Sequence, residues 1–407
     1  MTSLQVTPRP RARRAAAAPV ETVATSRTLL NYLLIPRPKD LVKAVIVPAT
    51  FTLGPLANGG VGGTRVWHAL LVWLVLELLV YQARYQWNDV RGFAADQAHP
   101  EAAARGRLPG PVERARPHIT ASVAVAALRL LLTAAVGLAI PSLRGVLLGM
   151  TVGVFGAGFL YEHVRSAATG RTRRVPVPLR PSLLAVWVAA GAGYAVRGMT
   201  GLALAVELRG RPGLAVAGVI AMWAFGVVFV TCRWALEAMC FARFRGDHVF
   251  WDAGRSKARE HSLALVRWLP SNLDPHDLPA EPAGWRALHG RTSLVAPWHL
   301  ALLVAAAAAA LAGRLLVAGF STGAGAAIAV AAAAAALAIT RLPRRRAPAA
   351  LAAALAAVGV QWLAGLDRPL VATLPWLVVM IAYACFTHQC AQEIGRPLRR
   401  LEPFLRR

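Results

Sequence analysis

Ten apolar blocks, each roughly twenty residues long, fill most of this chain, and that repeat length decides what it can fold into. At 1.5 Å per residue such a helix covers ~30 Å, the hydrocarbon thickness of a bilayer. The blocks run over 41–57, 66–86, 118–139, 143–162, 182–206, 212–236, 297–318, 322–340, 348–366 and 370–388. The first, with Pro48 and Pro55 inside it, is the weakest and can be broken or partly interfacial. The Ala-rich blocks near 301–312 and 324–338 carry little bulk and predict close helix contacts. Composition agrees. Apolar residues make up 57% of 407, mean hydropathy is +0.49, and the net charge is +26. A soluble enzyme, a disordered chain and a disulfide-stapled secreted domain are excluded. The fold class is all-α: a polytopic transmembrane helical bundle of nine to ten spans.

Charge sets the expected topology. One set of connections is rich in arginine: Arg91 to Arg116, Arg165 to Arg180, Arg243 to Arg291, Arg341 to Arg346, and Arg396 to Arg407. The alternate connections are short and carry only Arg65, Arg144, Arg209 with Arg211, Arg314 and Arg368. The positive-inside rule places the first set and both termini in the cytoplasm, within a plasma-membrane protein. Ten spans meet that rule without conflict. Residues 1–30 read as a disordered basic tail, 31–395 as one transmembrane domain, and 396–407 as a basic C-terminal tail. The long cytoplasmic loops 87–117 and 237–296 are the expected seat of function.

The arginines punctuate apolar blocks and form no single basic patch, so membrane topology and phosphate-bearing substrates explain them better than nucleic acid. Cys232, Cys240, Cys385 and Cys390 have neither CxxC nor zinc-type spacing and read as core residues. The chain has no P-loop, no dinucleotide fingerprint and no Ser-His-Asp arrangement.

Polar residues concentrate where the second block ends, in Tyr81-Gln-Ala-Arg-Tyr-Gln-Trp-Asn88-Asp89-Val-Arg-Gly92-Phe-Ala-Ala-Asp96. Asp89 and Asp96 are seven apart, two helical turns on one face, with Asn88 beside them. Oxygen donors in that pattern suit Mg²⁺, which binds through one or two carboxylates plus substrate phosphates. An ordinary solvated helix end has the same composition. The second loop holds Arg245, Asp247, Asp252, Arg255 and Lys257. Asp247 and Asp252 would diverge by about 140° on one helix. Either this is a solvated amphipathic helix, or the basic residues grip diphosphate while an acid holds metal. Glu77, Arg84, Arg129, Arg197 and Glu237 lie inside blocks, where an ionisable group needs a cavity or a partner. Glu77 and Arg84 share a face and are a candidate pair. Arg197, among small residues, is the candidate for substrate phosphate, with a buried acid such as Glu77 or Glu237 as its structural alternative.

The stretch Asn88-Asp89-x-x-Gly92-x-x-x-Asp96, with Arg105 and Leu108-Pro109-Gly110 behind it, resembles the first aspartate motif of the UbiA superfamily of intramembrane prenyltransferases. Ala95-Asp96-x-x-His99-Pro100 is most similar to its polyprenyl-phosphate 5-phosphoribosyltransferase branch. Ile35-Pro36-Arg37-Pro38-Lys39-x-x-x-Lys43 resembles the family's opening basic segment. Tyr161, the run from Ala190 to Gly201 around Arg197, and Phe225 to Glu237 around Arg233 resemble later motifs, so the likeness covers roughly residues 32–265. It departs in three places: Gly92 replaces the middle aspartate, Cys232 a lysine, and Glu237 stands one residue late.

The resemblance implies a UbiA-type bundle with a cytoplasm-facing polar cavity, and Asp89, Asp96 and Glu237 as catalytic residues. Asn88, Asp89, Asp96, Asp247 and Asp252 would hold Mg²⁺. Arg37, Lys43, Asn88, Arg105 and Tyr161 would bind substrate, as would Arg197, Arg233, Arg245 and Lys257. The partners would be an isoprenoid lipid and a diphosphate-bearing donor, in the form closest to the motifs a polyprenyl phosphate and phosphoribosyl diphosphate. Ionisation of a prenyl diphosphate, by a prenyltransferase or terpene cyclase, is the alternative. A non-catalytic or transport role on the same scaffold is the second.

Overall fold

The computed structural model describes residues 27–97, 106–110, 113, 115–172, 175–246, 248–251, 260–270, 281–319 and 322–393. Within them ten helices are long and apolar enough to cross a membrane. They are Asp40–Asn58, Gly63–Arg91, Ala115–Ala139, Pro141–Ala168, Pro181–Ala205, Pro212–Phe241, Pro297–Val317, Gly323–Thr340, Pro343–Leu363 and Pro369–Thr387, the first to tenth spans. The number expected from the apolar blocks therefore holds, and each block falls on one helix. Large side chains such as Leu131, Leu138, Leu148, Leu355 and Leu370 point outward. In water that surface would be a severe liability, but against lipid tails it is the ordinary exterior.

The spans pack by close approach at small residues. The first lies against the fifth, the fifth against the sixth, the sixth against the seventh, and the seventh against the eighth and tenth. A Cβ on Gly201 would fall 2.3 Å from the Val47 carbonyl oxygen, and one on Gly313 would fall 1.9 Å from that of Ala372. Only glycine lets those backbones meet. Van der Waals contact of this kind replaces the hydrophobic drive that lipid removes.

Three local features depart from the plainest reading of the blocks. A 3₁₀ segment, Pro38–Val45, leads into the α-helix Ile46–Asn58; Pro48 falls in the first turn of that helix and Pro55 inside it, and the helix is not broken at either. The second span carries a π turn, Val75–Val80, and then continues as Tyr81–Arg91. The stretch after the sixth span is a β-hairpin, β1 (Ala242–Arg245) with β2 (His248–Trp251), rather than an amphipathic helix. Alternation in Ala-Arg-Phe-Arg and His-Val-Phe-Trp, with Gly246 at φ +62° at the turn, is the cause. Leu29 and Leu30, expected to belong to the N-terminal tail, lie instead in a short helix, Leu29–Leu34, while residues 1–26 and 396–407 lie outside the described residues. Arg129 of the third span holds that helix through the Leu33 and Leu34 carbonyls, each at 2.7 Å.

Candidate functional site

The N-terminal end of the first span and the C-terminal ends of the second, fourth and sixth come together at one end of the bundle. Glu77, Tyr81, Arg84, Tyr85 and Asn88 follow one face of the second span at three- and four-residue steps. Charged groups on neighbouring spans complete the cluster.

Asp89 is fully buried and already engaged. Its Oδ1 accepts from Arg37 and, at 3.0 Å, from Arg107, while the Tyr32 hydroxyl donates to Oδ2 at 3.4 Å. Burial would lower the Arg37 pKa, but the carboxylates of Asp89 and Asp40 outweigh it and the net shift is upward. Burial, then the Asp89 charge, raises the Tyr32 phenol as well. With its amide oriented to satisfy both neighbours, Asn88 donates to Glu162 Oε1 at 2.7 Å and accepts from Arg37 at 2.5 Å. Glu162 also takes Arg165 at 2.5 Å. Lys43 pairs with Asp40 at 2.6 Å, and Arg233 with Glu237 one turn on, at 2.9 Å. Tyr161 stacks on Trp234 with ring centroids 6.2 Å apart.

Arg197 meets Glu77, not Arg84. Its Nε donates to Oε1 at 2.7 Å and an Nη to Oε2 at 3.1 Å, with the guanidinium 3.3 Å over the Tyr81 ring. Tyr85 Oη lies 3.4 Å from the same Nη. The fork that would suit a phosphate is filled by a carboxylate of the chain itself, the structural alternative named above. The pairing of Glu77 with Arg84 is not made, because seven residues separate them by about 10 Å of helix rise while Arg197 approaches from the facing span.

Arg84 is then the residue left over. It is half-buried at the centre of the cluster and makes no ion pair among the described residues. Its guanidinium lies 5.8 Å from the Tyr85 ring centroid and beside Gly158, where a Cβ would sit 2.8 Å from Arg84 Nε. Arg37 and Glu162 are its charged neighbours. Three further donors of the cluster and its edge lack partners among the described residues: the buried Tyr194 hydroxyl, Arg37 Nε and Arg107 Nε. Among the described residues the cations Arg37, Lys43, Arg84, Arg107, Arg165, Arg197 and Arg233 face the carboxylates Asp40, Glu77, Asp89, Glu162 and Glu237. The cluster carries two more positive charges than negative.

Asp96 belongs to a short helix, Phe93–Gln97, that follows a break at Gly92. Its Oδ2 lies 3.4 Å from the place a Cβ on Gly92 would take. Among the described residues no three His, Cys, Asp or Glu side chains gather as a metal centre. Asn88 and Asp89 as arranged do not fit as ligands of Mg²⁺, since guanidinium groups and Glu162 hold their polar atoms. Arg105, Asp247, Asp252 and Lys257 lie outside the described residues. Arg245 is on β1, its guanidinium 5.4 Å from the Phe250 ring, and is not joined to the cluster by any ion pair among them. Sequence reasoning had Arg84 only as a partner for Glu77; its spacing from Asn88, one turn on, was the available signal. No family model, curated protein or solved structure matches the chain.

Proposed function

We propose that this protein is an integral membrane transferase of UbiA type that acts on an isoprenoid substrate with loss of diphosphate. The form closest to the motifs moves a 5-phosphoribosyl group from phosphoribosyl diphosphate to a polyprenyl phosphate. An oxygen of the lipid phosphate bonds to the anomeric carbon as the bond from that carbon to diphosphate breaks. The diphosphate leaves with both electrons. The observation that carries this reading is Arg84: a half-buried cation in an apolar span, with no ion-pair partner among the described residues, in a cluster with a surplus of two positive charges. An uncompensated charge inside a span costs at least about 2.5 kcal/mol and implies a ligand of opposite sign. Phosphate or diphosphate supplies it, and Arg84 with Arg37 and the Tyr194 hydroxyl supply donors. Arg197 supports the floor of this site by fixing Glu77. Magnesium would arrive with the diphosphate as its counter-ion, since Asn88 and Asp89 as arranged do not hold it. The surrounding apolar spans would house the isoprenoid chain, with the charged end toward the cytoplasm.

A second reading has its own support. Tyr194, Phe225, Phe229 and Phe386 form a continuous aromatic patch beside the cluster, with centroid separations from 4.5 to 6.2 Å. Ring faces of this kind stabilise a carbocation, as ionisation of a prenyl diphosphate requires. Mass spectrometry separates the two. Purified protein is incubated with polyprenyl phosphate and phosphoribosyl diphosphate, or with prenyl diphosphates, each with Mg²⁺. A phosphoribosylated lipid supports the first form, and a prenylated or cyclised product the second. No lipid product from either set overturns the transferase reading.

A further inference from the structure

Arg27 stands just before the short helix Leu29–Leu34, whose N-terminal cap is Thr28, accepting from the Asn31 amide at 3.3 Å. Its side chain gathers four backbone carbonyls. Nη2 donates to those of Asn31, at 2.6 Å, and Ile35, while Nη1 donates to Pro36 at 2.9 Å and to Gly106 at 3.0 Å. The last carbonyls of a helix have no partner inside it, and Pro36 and Pro38 bring no N–H to the stretch that follows. Arg129 takes the carbonyls of Leu33 and Leu34. What Arg27 adds is the tie to Gly106, 79 residues further along the chain and in the left-handed region at φ +57°.

Two of the four carbonyls belong to the residues directly before the arginines on Asp89. Pro36 precedes Arg37 and Gly106 precedes Arg107, and both arginines donate to Asp89 Oδ1. The third partner of Asp89 is Tyr32, which donates to Oδ2 and has its ring centroid 5.7 Å from the Arg27 guanidinium. One side chain therefore touches the support of every group that holds Asp89. The consequence reaches Arg37 most directly. Its Nη2 serves Asp89 and Asn88, its Nε is left without a partner, and the direction of that free donor depends on where Pro36 is held. Four acceptors arranged in two pairs match the planar fork of a guanidinium. A lysine ammonium carries the same charge with three donors and no fork.

We infer that Arg27 is a positioning residue of the charged site: it sets Arg37 and Arg107 on Asp89 and, on the transferase reading, thereby aims Arg37 Nε at substrate phosphate. The test uses the full chain in phosphatidylcholine nanodiscs and begins with hydrogen exchange. Arg27→Gln should speed amide exchange about tenfold in both tied segments, 31–37 and 106–108, while the ten spans keep wild-type rates. Wild-type exchange in 106–108, or faster exchange throughout the spans, overturns the inference. Titration with inorganic diphosphate and Mg²⁺ then reads the site itself. Affinity should fall about tenfold in Arg27→Gln and by as much in Arg27→Lys, which keeps the charge and loses the fork. Wild-type affinity in Arg27→Lys also overturns the inference, because charge alone would then account for Arg27. If the wild-type protein binds no diphosphate, the transferase reading fails, and the exchange rates decide the role of Arg27 by themselves.

Discussion

The two halves of the bundle bury arginine in different ways. In the ninth span Arg346 is wholly out of solvent and donates to the carbonyls of Leu288 at 2.9 Å, Gly290 at 3.2 Å and Thr340 at 3.5 Å. It ties the end of the second long loop to the start of a span, and no carboxylate pairs with it among the described residues. In the fifth span Arg197 is as deeply placed, but its partner is a carboxylate, Glu77, with two tyrosines around the pair. Arg84 has neither arrangement. Backbone acceptors or a fixed carboxylate satisfy a cation at all times, and such a residue is scaffold. A cation left without either is available to a ligand that comes and goes. On the phosphoribosyl-transfer form of the proposal, the contrast would put the charged site in the first six spans and support in the last four.

The pair of Arg197 and Glu77 gives the strongest way to break that division. Arg197→Met leaves a buried carboxylate without its counter-charge, a loss of about 3–5 kcal/mol. The melting temperature in detergent should fall sharply, and adding Glu77→Gln should restore part of it. Arg197→Lys should keep most of the stability, since the charge remains. A normal melting temperature for Arg197→Met, with a large rise in substrate KM for Arg197→Lys, would move Arg197 from the scaffold to the site.

Arg84 should behave in the opposite way. Arg84→Gln removes no internal pair, so the melting temperature should hold or rise. Substrate KM should increase about 10- to 100-fold, the value of a charge-assisted hydrogen bond or two. Gly158→Ala asks the same question without touching the charge. Its new methyl would lie 2.8 Å from Arg84 Nε and push a flexible side chain aside. A roughly tenfold rise in KM with unchanged stability is expected from such a displacement. An unchanged KM in both variants would remove Arg84 from the site.

Much of this was legible in the sequence, and the part that was not has a physical reason. Block length gives the ten spans, because the bilayer imposes one repeat on every helix. The gathering of Arg37, Lys43, Asn88, Asp89, Tyr161 and Arg233 at one end follows once alternate ends are assigned to one side. Which charge meets which does not follow. Glu77 shares a face with Arg84, yet Arg197, 120 residues away in the chain, takes it. Asp89 and Asp96 share a helical spacing, yet the break at Gly92 and the approach of Arg37 and Arg107 give them separate surroundings. Pairings across spans depend on helix rotation and close approach, which no single span encodes. The hairpin was legible in its two-residue alternation, but a loop inside an all-helical chain invites a helical reading.

The smallest expected effect tests the supporting half from within. His299 in the seventh span holds Ser293 O with Nδ1 at 2.8 Å, so Nδ1 carries the proton. Its Nε2 is then the acceptor for the Tyr383 hydroxyl at 2.9 Å, from the tenth span. Both side chains are buried. Tyr383→Phe keeps the ring under Arg346 and removes one donor, leaving a buried nitrogen without a partner. The loss should be about 1–2 kcal/mol. The melting temperature should drop modestly while KM stays at the wild-type value, because among the described residues neither His299 nor Tyr383 hydrogen-bonds to the charged cluster of the first six spans. A KM change as large as that of Gly158→Ala would mean that the seventh and tenth spans help to set the geometry around Arg84. Spans 7–10 would then be part of the site, and the contrast between Arg346 and Arg84 would reflect two ways of building one pocket.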